Sequence, residues 1–447
     1  MGKRLRNEGL ARLLAEAGWM HAQLARATNQ VGTENGTPFR YDESSVTHWL
    51  GGTVPREAAR PCILEALRRK LNRHVTYTEA GLLPPAQDQP VGSAGTVEEL
   101  IELGRQDMDP SRRSVLGAGL FSVAMTIPGW PDVLGRIEAV QSGRTTRIGM
   151  AEVRMVTAMT ERVSDLDDQF GGRHARPMAA AFMVNTVARY LHADAPDDVR
   201  KAMMAAASDL CYLTGYMAVD EGLHGLAQRY YLKALELAGA SEDHLTYCTT
   251  LRGMSVQAVD LGHGTQAMRL ADAAAAASPQ AGPRMRAFLA GQQAHAAALI
   301  GDRAKSLRYI REAETEMDRA ESRSQPFGSY DPSSLNYHVS QVRYELRDVA
   351  GSVRAMEQSD QLRFDVYRRA RVRHRATLAE RQLELGHLEA ACATWSNALD
   401  EWPMIQSGRA DDRMRTMVRL VRPHTKNSHA RALFERTRAE LPRSMHT

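Results

Sequence analysis

Gly215-Tyr-Met-Ala218-Val-Asp-Glu-Gly222-Leu-His-Gly-Leu-Ala227-Gln-Arg-Tyr-Tyr231-Leu-Lys-Ala234 is the stretch on which the fold turns. Small residues stand where one helix crosses another, Gly222 separates two apolar-periodic runs, and a tyrosine plugs the second run. The same pattern returns downstream. One copy has Ala258, Gly262, Ala267, Ala271, Ala274 and Pro279; another has Ala294, Ala297, Gly301, Ser306, Ile310 and Ala313. A further copy has Ala379, Gly386, Ala391, Trp395, Ala398 and Pro403, and a degenerate one lies around Asp348–Ser359. Aligning Ala227, Ala267, Ser306, Ser352 and Ala391 gives spacings of 40, 39, 46 and 39 residues. Residues 151–192, with Phe170-Gly171-Gly172-Arg173-His174, read as an earlier helical hairpin, and 410–441 as a terminal cap. Nearly everything after residue 150 is helical by pattern. The expected fold is therefore all-α, with a body of stacked helical hairpins.

This body resembles the tetratricopeptide repeat (TPR) family, although its period exceeds the usual ~34 residues. A TPR-like α-solenoid presents the first helix of each pair on its concave side. In that register the concave face carries Tyr212, Tyr216, Arg252, His295, Tyr337, Gln341, Tyr344 and Arg373, with Glu380 beyond them. Tyrosines with amide and guanidinium groups suit peptide or ligand recognition. Packing between repeats is an equally good use for each of them taken singly. Asp331-Pro332 supplies a capping Asp and a first-turn Pro for one of these helices.

The N-terminal 83 residues read differently. Leu5, Leu10, Leu13, Leu14 and Ala17 share one face of a helix over 3–17 that Gly18 ends. A second helix runs from about His21 to Asn29, a third over Tyr41–Leu50 with Asp42 or Ser44 as its cap, and a fourth over Pro61–Leu71. Gln23-Leu24-Ala25 and Ser44-Ser45-Val46-Thr47-His48-Trp49-Leu50-Gly51 resemble the helix-turn-helix of phage-repressor-like (XRE) DNA-binding domains. The departure is about eleven residues, Val31 to Tyr41, that are expected to loop out between helices two and three. The resemblance implies that His21, Arg40 and Arg56, with Lys3 and Arg4, approach phosphates. Glu43, Ser44, Thr47 and His48 would then meet base edges.

Charge agrees with that division. Residues 1–85 hold 12 Lys/Arg against 8 Asp/Glu, while the rest of the 447-residue chain holds 45 of each. The whole excess of +4 therefore sits in the first module, as expected of an anion-binding head. The Pro/Gly/Ser stretch from Pro84 to Thr96 starts a linker, drawn here over 84–110, and the repeat body follows over 111–447.

Several function classes drop away. The Gly-rich phosphate loops, the His-Glu-x-x-His zinc motif and the Gly-x-Ser-x-Gly elbow are missing, so the chain is not expected to be an enzyme or to need a cofactor or metal. Cys62, Cys211, Cys248 and Cys392 are scattered and read as reduced thiols of a cytoplasmic protein. Ser111-Arg112-Arg113-Ser114-Val115-Leu116 and the apolar run to Ile127 resemble an export signal. The run is too short to span a bilayer, so it is read as a buried or interdomain helix and no membrane is expected. Only 6 of the 57 basic residues are Lys, which fits a high-GC genome.

The whole chain resembles actinobacterial XRE-type transcriptional regulators with C-terminal TPR domains. The partners this implies are double-stranded DNA, a second copy in a homodimer, and a peptide, protein or small-molecule effector in the groove. Secondary metabolism or development is the expected setting. The alternative is a TPR adapter whose N-terminal helices dock a protein partner without reading DNA.

Overall fold

The computed structural model describes residues 6–34, 37–73, 75–82, 95–108, 122, 147–277, 281–320 and 330–441. Lys3, Arg4, linker residues 84–94 and all of the 111–127 segment except Ser122 lie outside them. The described residues are all-helical. Their single β-bridge joins Arg147 to Asp194.

Four helices form the first module: α1 (Glu8–Glu16), α2 (His21–Glu34), α3 (Glu43–Leu50) and α4 (Ala59–Leu71). Leu10, Leu13, Leu24, Val46, Trp49, Ile63 and Leu67 bury themselves in one core. Asn7 caps α1 by accepting from the Leu10 amide at 2.9 Å, while its amide donates to the Gly81 carbonyl. Asp42 caps α3, accepting from the Ser45 amide and from the hydroxyls of Ser44 and Ser45 at 2.7–2.9 Å. Those bonds to the charged form hold its carboxyl down at about 2.

The expected loop-out from Val31 to Tyr41 is corrected. Helix α2 continues five residues past Asn29, burying Val31 and Gly32. The Asn29 side-chain amide then clamps Tyr41, accepting from its N–H and donating to its carbonyl, both at 2.8 Å. Phe39 and Tyr41 lie 5.2 Å apart, and Tyr41 meets Trp49 edge-on at 4.9 Å. The aromatic pair folds the connection back onto the module. Gly32 is a contact glycine within this arrangement, because a Cβ there would stand 2.5 Å from the Phe39 ring.

Residues 96–108, placed in the linker above, form α5 (Thr96–Met108). Val97, Leu100 and Leu103 bury themselves in the core of the body. Asp107 lies against Arg176 and accepts from the Tyr230 hydroxyl at 3.1 Å. The helix is thus part of the repeat body.

After α5 come α6 (Met150–Phe170) and α7 (Gly172–Phe182), the latter extended by a π-helical turn, Met183–Val187, and Ala188–Leu191. Five helical pairs follow. They are α8 (Asp197–Asp220) with α9 (His224–Ala240), α10 (His244–Asp260) with α11 (Gly264–Ala276), and α12 (Pro283–Leu299) with α13 (Arg303–Arg319). The last two are α14 (Pro332–Glu345) with α15 (Val349–Leu362), and α16 (Arg368–Glu384) with α17 (Leu388–Glu401). Helices α18 (Gly408–Val421) and α19 (Ser428–Glu440) close the array.

The aligned small residues occupy one structural place. Ala227, Ala267, Ser306, Ser352 and Ala391 are each the fourth residue of a second helix, and all are fully buried. Five residues before each of them the turn enters the left-handed region, at Gly222, Gly262, Gly301, Arg347 and Gly386, with φ of 75, 76, 77, 67 and 83°. The next amide in every case reaches back to the first helix: Leu223 to Ala218, His263 to Ala258, Asp302 to Ala297, Asp348 to Arg343 and His387 to Gln382. This closes the first helix with the same left-handed cap each time. The turn of the degenerate fourth copy is therefore regular in backbone, with Arg347 where the others have Gly.

The stack does not stay open. The Gln406 amide donates to the Phe170 carbonyl at 2.6 Å, and the Arg173 amide to the Gln406 carbonyl at 3.1 Å. A Cβ on Gly171 would stand 2.4 Å from that Gln406 oxygen. Arg369 at the start of α16 pairs with Asp167 and Asp168 at the end of α6, at 2.9 and 3.1 Å, and with Asp220 of α8 at 3.4 Å. Arg409 joins Asp220 to Asp260, at 3.2 and 2.8 Å. The last pairs thus meet the first, and the array closes into a ring.

Candidate functional site

Two places gather the residues singled out from the sequence. The first is α3. Val46 and Trp49 point into the module, which leaves Glu43, Ser44, Thr47 and His48 exposed on its opposite side. Nδ1 of His21, the first residue of α2, lies 3.1 Å from the Thr47 hydroxyl, so α2 and α3 share this surface. The Thr47 hydroxyl also donates to the Glu43 carbonyl. Ser44 is engaged by the Asp42 cap and holds the helix start. Arg40 and Arg56 are exposed on the segments that flank α3.

The second place is the centre of the ring. A cavity of about 220 Å³ opens there, lined by the first helix of every pair together with α6 and Arg409 of α18. Tyr212, Tyr216, Arg252, His295, Tyr337 and Arg373 all line it. Gln341 and Tyr344 do not, which corrects their placement. Gln341 accepts from Arg381. The Tyr344 hydroxyl donates to Glu384 at 3.0 Å, beneath the Arg381 guanidinium, 4.3 Å from its ring centroid. These contacts hold α14 against α16, away from the cavity. Glu380 similarly pairs with Arg413 at 2.8 Å.

Residues that the repeat register did not select complete the lining. Phe288 and Tyr330 stack at 4.8 Å, and Tyr337 lies flat on His374 at 4.3 Å with 10° between the planes. The Tyr330 hydroxyl and His338 Nδ1 are 2.8 Å apart. Helical spacing was the available signal. Tyr212 and Tyr216, Arg252 and Asp260, and Phe288, Gln292 and His295 recur at steps of four, eight, or four and three, which keep to one helical face.

The electrostatics of the cavity follow from burial. It pushes His295 down to about 4, and His338 and His374 well below their usual value, so all three are neutral at pH 7. Burial raises Asp167 to about 7 despite Arg369, with Asp168 and Asp220 adding to the shift. Burial would raise Tyr216 as well, but Arg369, Arg409 and Arg373 outweigh it and draw the phenol down to about 8. The positive potential therefore comes from guanidinia.

Among the described residues no group of three or more His, Cys, Asp or Glu is placed to hold a metal, and no helix is long and apolar enough to cross a membrane. All four cysteines are buried, and none is in a disulfide. Residues 10–83 match the family model of the SP15 N-terminal domain, a span that coincides with the four-helix module. No curated protein matches the chain.

Proposed function

We propose that this protein is a DNA-binding transcriptional regulator, with α3 as the reading helix and the closed repeat body as a dimerising effector receptor. The observation that carries the reading is the exposed row Glu43, Thr47 and His48, with His21 beside it, on a module whose 85 residues carry a net charge of +4. An α-helix fits the major groove with its N-terminal residues on base edges. Two copies in a dimer reach half-sites about 34 Å apart. An effector in the body then acts by favouring one spacing of the heads over another.

Selection of full-length protein on a randomised duplex library, at two salt concentrations, tests this. The expected result is a two-fold-related motif. Thr47→Ala and His48→Ala should each lose about 1–3 kcal/mol of discrimination at their own positions. Arg40→Ala should weaken all sequences alike and reduce the salt slope by about one. Binding without sequence preference, unchanged by all three substitutions, would leave a protein-docking adapter as the reading.

A further inference from the structure

The charges lining the cavity do not balance locally. Its carboxylates are already engaged: Asp167 and Asp168 by Arg369, Asp260 by Arg409, and Asp331 by the Ser334 amide at 2.7 Å, which it caps. Three lining guanidinia, those of Arg252, Arg363 and Arg373, have no carboxylate within 4.0 Å among the described residues. Arg252 is only 6% exposed. It donates to the Tyr212 hydroxyl at 2.7 Å and lies 3.6 Å from the Phe288 centroid, yet its buried Nε has no partner. Arg363 reaches the Ser359 hydroxyl at 3.3 Å, and its Nε is likewise buried without a partner. The Arg373 side chain makes no hydrogen bond or ion pair among the described residues. His374 Nδ1, also buried and partnerless, completes this set.

A buried guanidinium without a counter-charge is strongly unfavourable. Arg252 is buried without one, and Arg363 and Arg373, half-buried at the same cavity, have Asp331, Asp260 and Asp220 only beyond 4.0 Å. An anion in the cavity supplies the close counter-charge that the lining lacks. The walls limit that occupant. A cavity of 220 Å³ lies below the ~300–1,000 Å³ of sites for drug-sized molecules, and the closed ring denies an extended chain its run along the groove. Phe288 over Tyr330 and Tyr337 over His374 offer flat aromatic faces. We infer that the centre of the ring is a receptor for a small planar organic anion, a carboxylate or phosphate monoester, whose charge is met by Arg252, Arg363 and Arg373. That this anion is the effector rests on the regulator reading; that it binds does not.

The test is calorimetric titration of the full chain, without DNA, with benzoate, phenyl phosphate, benzamide and inorganic phosphate. At least one of benzoate and phenyl phosphate should bind, and benzamide at least tenfold more weakly. Arg252→Gln and Arg373→Gln should each reduce the affinity by tenfold or more. Arg154→Gln, on the exposed side of α6, should leave it unchanged. Without ligand, Arg252→Gln should keep or raise the melting temperature, because it removes an uncompensated charge. Three outcomes overturn the inference: neither organic anion binds, benzamide binds as well as benzoate, or inorganic phosphate alone binds as well as phenyl phosphate. A large fall in melting temperature for Arg252→Gln would likewise overturn it, by making that residue structural. If the anions bind but leave DNA affinity and the selected motif unchanged, the receptor stands and the regulator reading loses its effector.

Discussion

Replacing Arg369 with Met separates a ring held shut by charge from one held by shape alone. The guanidinium side chain is 4% exposed and meets Asp167, Asp168 and Asp220, whose side chains are 2%, 20% and 0% exposed. At an effective dielectric near 20, each contact at about 3 Å is worth on the order of 5 kcal/mol of Coulomb attraction, before the opposing cost of desolvation. Asp220 keeps Arg409 at 3.2 Å in the variant, so the loss falls on Asp167 and Asp168. Leaving buried carboxylates uncompensated costs about 3–5 kcal/mol, and that is the expected destabilisation at pH 8. Its pH dependence has a definite sign. Burial already holds both aspartates above their unfolded values in the wild type, and removing Arg369, which lowers both, raises them further. Over this range the folded variant therefore holds more protons than the folded wild type. Its deficit therefore shrinks as pH falls from 8 towards 5, by up to ~1.4 kcal/mol per pH unit for each extra proton held. Urea unfolding followed by circular dichroism across that range measures it. Tyrosinate absorbance offers a second readout, because Arg369 is the largest influence lowering Tyr216 to about 8 and the phenol should move up without it. A loss below about 1 kcal/mol, or one equal at pH 5 and pH 8, would refute a charge-closed ring.

Arg347→Gly should stabilise the body by about 0.5–1 kcal/mol in urea unfolding. It relieves a left-handed residue in the one turn that lacks the Gly of its four counterparts, less the extra entropy of Gly in the unfolded chain. Any destabilisation would mean that the Arg347 side chain has a role beyond the turn. His295→Gln should flatten the acid limb of the stability curve. His295 titrates near 6.5 when unfolded and at about 4 in the fold, so the wild type loses stability as pH falls between those values. The variant escapes that loss and gains on the wild type by about 3 kcal/mol from pH 7 to 4; parallel curves would contradict the assignment. Gly32→Ala puts a Cβ 2.5 Å from the Phe39 ring and 2.7 Å from the Thr37 carbonyl. The resulting overpacking should lower the stability of the first module by about 1–3 kcal/mol, read by its thermal transition.

Local repetition was legible in the sequence, and what the repetition adds up to was not. Ala227, Ala267, Ser306, Ser352 and Ala391 could be aligned because a close helix crossing tolerates only small side chains, whatever the surroundings. The fourth pair looked degenerate because Arg347 hides a turn whose backbone matches the others. Helix α2 was cut short for the opposite reason. Gly32 and its polar neighbours resemble a turn, while the glycine is there to admit Phe39. Six cavity residues were legible because the first helix of each pair repeats its inward face at steps of three and four. Gln341 and Tyr344 fell outside because α14 also has a face turned to α16, and side-chain type does not distinguish the two.

The ring itself depends on Arg369 meeting Asp167 about two hundred residues away, and on Gln406 meeting Phe170. No periodicity relates those positions. In a stacked array curvature accumulates as small rotations from pair to pair, and closure is their sum. That sum decides chemistry as well as shape. An open array carrying the same Tyr212, Arg252, Tyr337 and Arg373 would offer a groove suited to an extended peptide, with its guanidinia hydrated. Closed by Arg369, the same residues surround a small cavity in which Arg252 can no longer turn to bulk water. The class of ligand follows from the closing contact, and for that reason the Arg369 and Arg252 substitutions belong in one experiment. If the ring is held by charge, Arg369→Met should hydrate Arg252 and abolish the preference for benzoate over benzamide even where the chain still folds.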